Sequence, residues 1–195
     1  LDLRFAATAR IEDSGAANGA GLYATGAGNA GAAAVRATIE GATFEGNDAK
    51  AKGGGAYVAT ATLDIESGLL AGNASGENRG HDLWVDPASP SGGASEGATV
   101  NLDVGEESFS DDADRDKVLI GAGSSGTVNF LQDFTMKNHL LLQSTAADRS
   151  TATVAAGAVL TLSGKLTVGV DGGGANHELV VDPNGGSVLY KNDAE

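Results

Sequence analysis

The stretch "DDADRDKVLIG" sets Asp112, Asp114 and Asp116 at alternate positions, the opening ligand spacing of a calcium loop, in which hard oxygen donors converge on one ion. The rest of the stretch does not continue the pattern. Lys117 stands where such loops turn on a glycine, and Gly123 stands where a bidentate glutamate closes the site. The three aspartates read first as a solvated acidic loop. No cofactor is expected, calcium at these positions being the one candidate.

Other chemistry needs other constellations. Polysaccharide lyases and glycosidases require two or three carboxylates converging on one face, and Asp64, Glu66 and Asp86 are the nearest candidates. Strand alternation gives Asp64 and Glu66 a simpler place on an outer face, with Leu63 and Ile65 packed inside. His81, His139 and His177 lie far apart and fall in no zinc-binding pattern. G-x-G-x-x-G occurs twice, at Gly26, Gly28 and Gly31 and at Gly121, Gly123 and Gly126, but 30 glycines in 195 residues bring that spacing by chance. A dinucleotide site also needs a helix N-terminus after the glycines, whereas "TVNFL" after Gly126 reads as a strand. Cysteine is absent, so disulfides, thiolate metal sites and cysteine nucleophiles are excluded together. These residues argue against an enzyme.

Composition limits what can hold such residues in place. The chain is 41% hydrophobic, but alanine supplies much of that share, and only five Phe, three Tyr and one Trp are present. The predicted core is therefore thin. Twelve basic against 26 acidic residues give a net charge of -14, a field that repels phosphate backbones and anionic membrane surfaces. Nucleic acid is not an expected partner. No run of about 18 apolar residues is available to span a bilayer, so direct membrane insertion is not expected either. Leu1 falls inside an apparent strand, and we read the chain as a piece of a longer protein with its targeting and anchoring segments elsewhere.

The positioning elements come from a repeat. "TIEGATFEGNDA" (38–49) overlies "DIESGLLAGNAS" (64–75), matching Ile39 to Ile65, Glu40 to Glu66, Gly46 to Gly72 and Asn47 to Asn73, always 26 apart. "GGGAYV" and "RGHDLWV" follow the two blocks and place Tyr57 and Trp84 27 apart, a one-residue insertion; "NGAGLYA" (18–24) has the same ending, with Tyr23 at the position of Tyr57. A period of this length signals units that bury their apolar faces only by stacking on neighbours. Helical units are excluded, because glycine at this frequency costs a helix roughly 1 kcal/mol per interior position. "TLDIE", "TVNLDV" and "KLTVGV" alternate with period two instead.

Short strands separated by Gly, Asn and Asp turns predict an all-β fold, a right-handed parallel β-helix of about eight rungs forming a rod about 40 Å long. Phe44 and its counterpart Leu70 are expected in the core. Asn47 and Asn73 are expected to stack at a bend, with Gly53, Gly54 and Gly55 turning the chain before Tyr57. Residues 1–86 carry the motif, 87–97 ("PASPSGGASEG") read as a protruding loop, and 98–195 continue as degenerate, shorter rungs of the same single unit.

Phe44-x-x-Asn47 with Gly54-Gly55-Ala56 resembles the repeat signature of the chlamydial polymorphic outer membrane proteins, over residues 10 to 86. The second copy has Leu70 for the phenylalanine and His81 within its glycine pair. The resemblance implies an autotransporter-like passenger: a non-catalytic β-helix displayed at the cell surface or secreted, acting as adhesin or stalk and meeting a host-cell or matrix protein or a glycan. The competing expectation is a fragment of a polysaccharide-processing β-helix enzyme. A contact surface, if present, is expected at the loops that break the repeat, "RGHDLWVDPASPSGG" and "FSDDADRD".

Overall fold

The computed structural model describes residues 1–25, 35–86, 98–110, 112–114, 117–123, 126–144, 150–164, 166–170, 177–181 and 187–190. Asp116, the 87–97 stretch and the glycines at 26, 28 and 31 lie outside them. Apart from a single 3-10 turn at Glu106–Ser108, every regular element among the described residues is a strand.

The strands form four sheets of eight, six, three and three strands. The pairing within each is parallel. Parallel neighbours cannot be joined by a hairpin, and here the chain meets that constraint by visiting the sheets in rotation. Arg36–Glu45 lies in the eight-stranded sheet, Asp48–Lys52 in one three-stranded sheet and Ala56–Ala59 in the six-stranded sheet. Thr62–Ala71, Ala74–Ser75 and Leu83–Val85 return to the same sheets in the same order, each beside its predecessor. Farther along, the second three-stranded sheet, of Phe134–Met136, Val159–Leu162 and Ser187–Tyr190, takes the middle place in the rotation.

Parallel register sets like on like. Ala37, Leu63, Val100, Val128 and Ala152 align across the large sheet, as do Phe5, Ile39, Ile65, Leu102, Phe130 and Val154. All but the partly buried Phe5 join one continuous core. Each fully buried Leu, Ile or Phe contributes about 1.5–3 kcal/mol. Aromatic edges close the gaps between layers: Phe5 meets Phe44 at 5.6 Å, and Phe134 meets Phe109 at 5.7 Å and Phe130 at 5.2 Å. Phe109, bridged to Leu70 just after the 3-10 turn, carries the core between the two small sheets.

Two details of the repeat differ from the sequence reading, and a third, the expected one-residue insertion, is placed. Ile39 pairs with Ile65, but Glu40 pairs with Ser67, and the slip is undone where Thr43 meets Leu69. Glu66 is thus an extra residue at a bulge rather than the partner of Glu40, in strands that bend at Gly41 and Gly68, both at positive φ. The one-residue insertion falls at 76–78: Ala49 pairs with Ser75, 26 apart, and Lys52 with Arg79, 27 apart. Asn78 absorbs it in a left-handed conformation, φ 51°. The later units are not uniformly shorter, since Thr99 pairs with Thr127, Thr127 with Thr151 and Thr151 with Glu178, separations of 28, 24 and 27.

Candidate functional site

The turn after Phe44 is built from amides. Phe44 and Leu70 are fully buried and pair across the large sheet, and each leads into an asparagine that serves the neighbouring unit. Asn47 Nδ2 donates to the Ile11 carbonyl (2.9 Å) and to Asn73 Oδ1 (3.0 Å), while its own Oδ1 accepts from the Ser14 amide (3.1 Å). Asn73 Nδ2 donates to the Phe44 carbonyl (3.0 Å) and to Asp82 Oδ1 (2.8 Å). Ile11 and Ser14 therefore occupy the Phe44 and Asn47 positions of the first copy, too altered to be read as F-x-x-N. Gly54 and Gly55 answer a close approach rather than a strained turn: a Cβ would lie 2.3 Å from the Ala74 carbonyl at Gly54 and 2.5 Å from the Asp82 carbonyl at Gly55.

Asp82, which the sequence did not single out, ends this ladder with no exposed surface. Its Oδ2 accepts from the Ser110 amide at 3.0 Å. Burial pushes its carboxyl up to about 6, against the pull of the bonds from Asn73 and Ser110.

A second ladder runs on the outer face of the large sheet. Thr153 Oγ1 donates to Asn129 Oδ1, Asn129 Nδ2 to Asn101 Oδ1 (2.7 Å), and Asn101 Nδ2 to Asp64 Oδ1 (2.7 Å). Arg36 Nε closes it on Asp64 Oδ2 at 2.5 Å. Beside it lies an open cleft of about 250 Å³ lined by Arg36, Asp64, Glu66, Asn101, Asp103 and Leu131. Asp86 is not part of it. That carboxylate follows a strand of the six-stranded sheet and pairs with Lys52 at 2.7 Å, so the three carboxylates considered for glycan cleavage do not share a face.

The acidic loop is knit to itself. Asp112 Oδ1 accepts from the Asp114 amide (2.8 Å), and Oδ2 accepts from Lys117 Nζ (2.6 Å), which holds the Asp112 carboxyl below its ordinary value. Asn138 Nδ2 ties the loop down through the Asp112 and Asp114 carbonyls, both at 2.9 Å. Among the described residues, no three His, Asp or Glu side chains converge as a metal site. His81 is buried, its Nδ1 accepting from the Ser75 amide at 3.1 Å and Nε2 facing Asn78 Oδ1 at 3.0 Å; burial and Lys117 lower its pKa. His139 is buried in a strand beside Val118, and His177 pairs with Ser150. Gly121 lies in the strand Val118–Ala122, and Gly126 directly precedes the strand Thr127–Phe130, so a strand follows the last glycine.

Tyr57 and Trp84 are not in the main core. Their strand neighbours Ala56, Val58, Leu83 and Val85 belong to it, whereas Tyr57, Ala59, Trp84 and Val118 form a separate cluster. The alternation of a strand places that cluster on the outer side of the six-stranded sheet. Tyr23, Tyr57 and Trp84 are in register there, with exposures of 48%, 7% and 0%. The two tyrosine rings stack at 5.2 Å and 6°. Lys52 Nζ lies 5.8 Å from the Trp84 ring centre while holding Asp86. Burial, and then the Asp86 charge, raise the Tyr57 phenol above its ordinary pKa. Trp84 Nε1 is buried with no acceptor among the described residues. Of the two stretches expected to form a contact surface, the described parts meet where the Ser110 amide donates to Asp82 Oδ2.

Comparison with known proteins returned no match to a family model, a curated protein or a solved structure.

Proposed function

We propose that the chain is a right-handed parallel β-helix of about eight rungs and a non-catalytic module of a larger surface or secreted protein, acting as adhesin or stalk. The observation that carries the fold reading is the rotation among sheets, with like residues stacked in register from unit to unit. The Phe44, Asn47 and Gly54-Gly55 pattern supports kinship with the polymorphic outer membrane protein repeats, and through it the extracellular, outer-membrane-anchored setting and a host-cell or matrix partner. No helix among the described residues is long and apolar enough to cross a membrane. Asp64 and Asp86 are each engaged by a cation, on different sheets, which supports a binding or spacing role over acid–base chemistry.

One observation favours the other reading: the cleft gathers Asp64, Glu66 and Asp103, the residue types a polysaccharide lyase or hydrolase uses. Release of new reducing or unsaturated ends from acidic glycans incubated with the chain would sink the non-catalytic assignment. Adhesion is tested with beads carrying the folded chain, beside beads carrying the heat-unfolded chain, on cultured cells. Binding that requires the folded form supports the adhesin; no binding by a sample shown to be folded leaves the stalk.

A further inference from the structure

The outer face of the eight-stranded sheet carries a repeat of its own. Thr62, Thr99, Thr127 and Thr151 stand in register, and so do Asp64, Asn101, Asn129 and Thr153 two residues on. Between them Leu63, Val100, Val128 and Ala152 are fully buried, which turns both columns outward. A third column follows, because the Asp103 amide donates to the Ile65 carbonyl and the Leu131 amide to the Leu102 carbonyl, keeping the same alignment. Successive strands thus present polar side chains about 4.8 Å apart along the stack.

The cleft of about 250 Å³ opens over the second and third columns, so its lining groups already face one space: Asp64 and Asn101 from the second, Asp103 and Leu131 from the third, Arg36 and Glu66 beside them. Bonds from Arg36 and Asn101 fix the buried Asp64 carboxylate, and Asn129 fixes Asn101. No hydrogen bond or ion pair engages the Glu66 and Asp103 carboxylates among the described residues. Leu131 is 43% exposed, an apolar surface within a polar recess. The cleft therefore offers two free acceptors, a fixed amide and an apolar rest.

We infer that this cleft binds one ring of an uncharged polysaccharide, whose chain continues along the stack over Asn129 and Thr153. The inference rests on the adhesive form of the proposed function and gives the class of partner and its place. The volume falls just below the about 300–1,000 Å³ of sites for drug-sized ligands, which suits a single sugar ring. A pyranose lays a C–H face on Leu131, donates hydroxyls to Glu66 and Asp103, and accepts the second hydrogen of Asn101 Nδ2. Beyond the cleft, each strand adds one polar group, close to the advance of one ring in an extended glycan. The two free carboxylates repel uronic-acid and sulfated chains. A lone ammonium would engage those carboxylates and leave Asn101 and Leu131 without a role, so the mixed lining favours a sugar.

The test is calorimetric titration of the whole chain with cellohexaose, chitohexaose and mannohexaose, beside hexagalacturonate as an acidic sugar and acetyl-lysine amide as a cation. At least one uncharged sugar is expected to bind, and the two charged probes are not. Asp103→Ala should weaken the sugar about tenfold, as fits the loss of a charged acceptor, and Leu131→Ala about fivefold, as fits the loss of an apolar contact. Both residues are exposed, so the variants should keep the native circular dichroism and melting point; Leu131→Met, which preserves the apolar rest, should bind as the native chain does. The inference is overturned if no uncharged sugar binds, if hexagalacturonate binds as tightly as they do, if only acetyl-lysine amide binds, or if either alanine variant binds as the native chain does. The bead assay separates the two claims. Adhesion without sugar binding overturns the glycan site and leaves the adhesin, whereas sugar binding without adhesion does the reverse. Sugar that binds and is then cut keeps the site and overturns the non-catalytic assignment.

Discussion

Asp82 keeps a carboxylate at zero exposure on neutral partners, the Asn73 amide and Ser110. Its folded pKa of about 6 lies above the ordinary 3.8, so between those values the native state binds more protons than the unfolded one. The contribution of Asp82 is therefore fully present below pH 3.8 and is lost as pH rises through 6. Unfolding in urea at a series of pH values should show stability falling across this window on the order of 1 kcal/mol per pH unit, and Asp82→Asn should flatten the slope. An identical slope in the variant would assign the titration elsewhere. Asp112 works in the opposite sense, its Lys117 bond favouring the charged form at low pH. Sequence made Phe44 and Asn47 legible because their types recur at a fixed spacing in the second unit, as Leu70 and Asn73. Asp82 has no such echo, and an aspartate beside His81 reads as surface until the Asn73 and Ser110 segments close over it.

At the scale of the element, a left-handed glycine before each ring sets how a strand of the six-stranded sheet begins. Gly53→Ala must hold a side chain at φ 63° and also place its Cβ 2.5 Å from the Ala56 carbonyl. A loss of about 2–4 kcal/mol is expected from the two costs together. Gly157 offers the control: its φ is 82° with nothing within 4 Å of a Cβ, so Gly157→Ala should cost only about 1–2 kcal/mol. Equal losses in chemical denaturation would mean that conformation alone, without the close approach, sets the cost. Pairing of Tyr57 with Trp84 was readable from the glycine-then-aromatic ending. The direction of those rings was not, because Ala56–Ala59 is apolar on both faces and buried throughout, leaving no alternation to tell inside from outside. The Glu66 bulge was hidden for a related reason, since a slip undone within a few residues leaves the 26-residue offset intact at both ends.

For the molecule as a whole, 26 acidic residues against 12 basic ones leave a self-repelling surface over the parallel sheets. Raising sodium chloride from about 0.02 M to about 0.5 M shortens the screening length severalfold, and the melting temperature should rise by a few degrees. A fall would mean that ion pairs such as Arg36–Asp64 and Lys52–Asp86 outweigh the repulsion. The two side-chain ladders have a further consequence. Inside, hydrogen bonds pass from Asn47 to Asn73 to Asp82; outside, they pass from Thr153 through Asn129 and Asn101 to Asp64, so the two run in opposite senses along the chain. An amide relays a bond, receiving at one atom and giving at the other, but an ionised carboxylate only receives. Each aspartate is thus a full stop in a sentence written in asparagines. The unit between Asn47 and Asn73 can be copied any number of times ahead of Asp82, whereas a copy placed beyond it has to start a new sentence, and the asparagine motif goes no further.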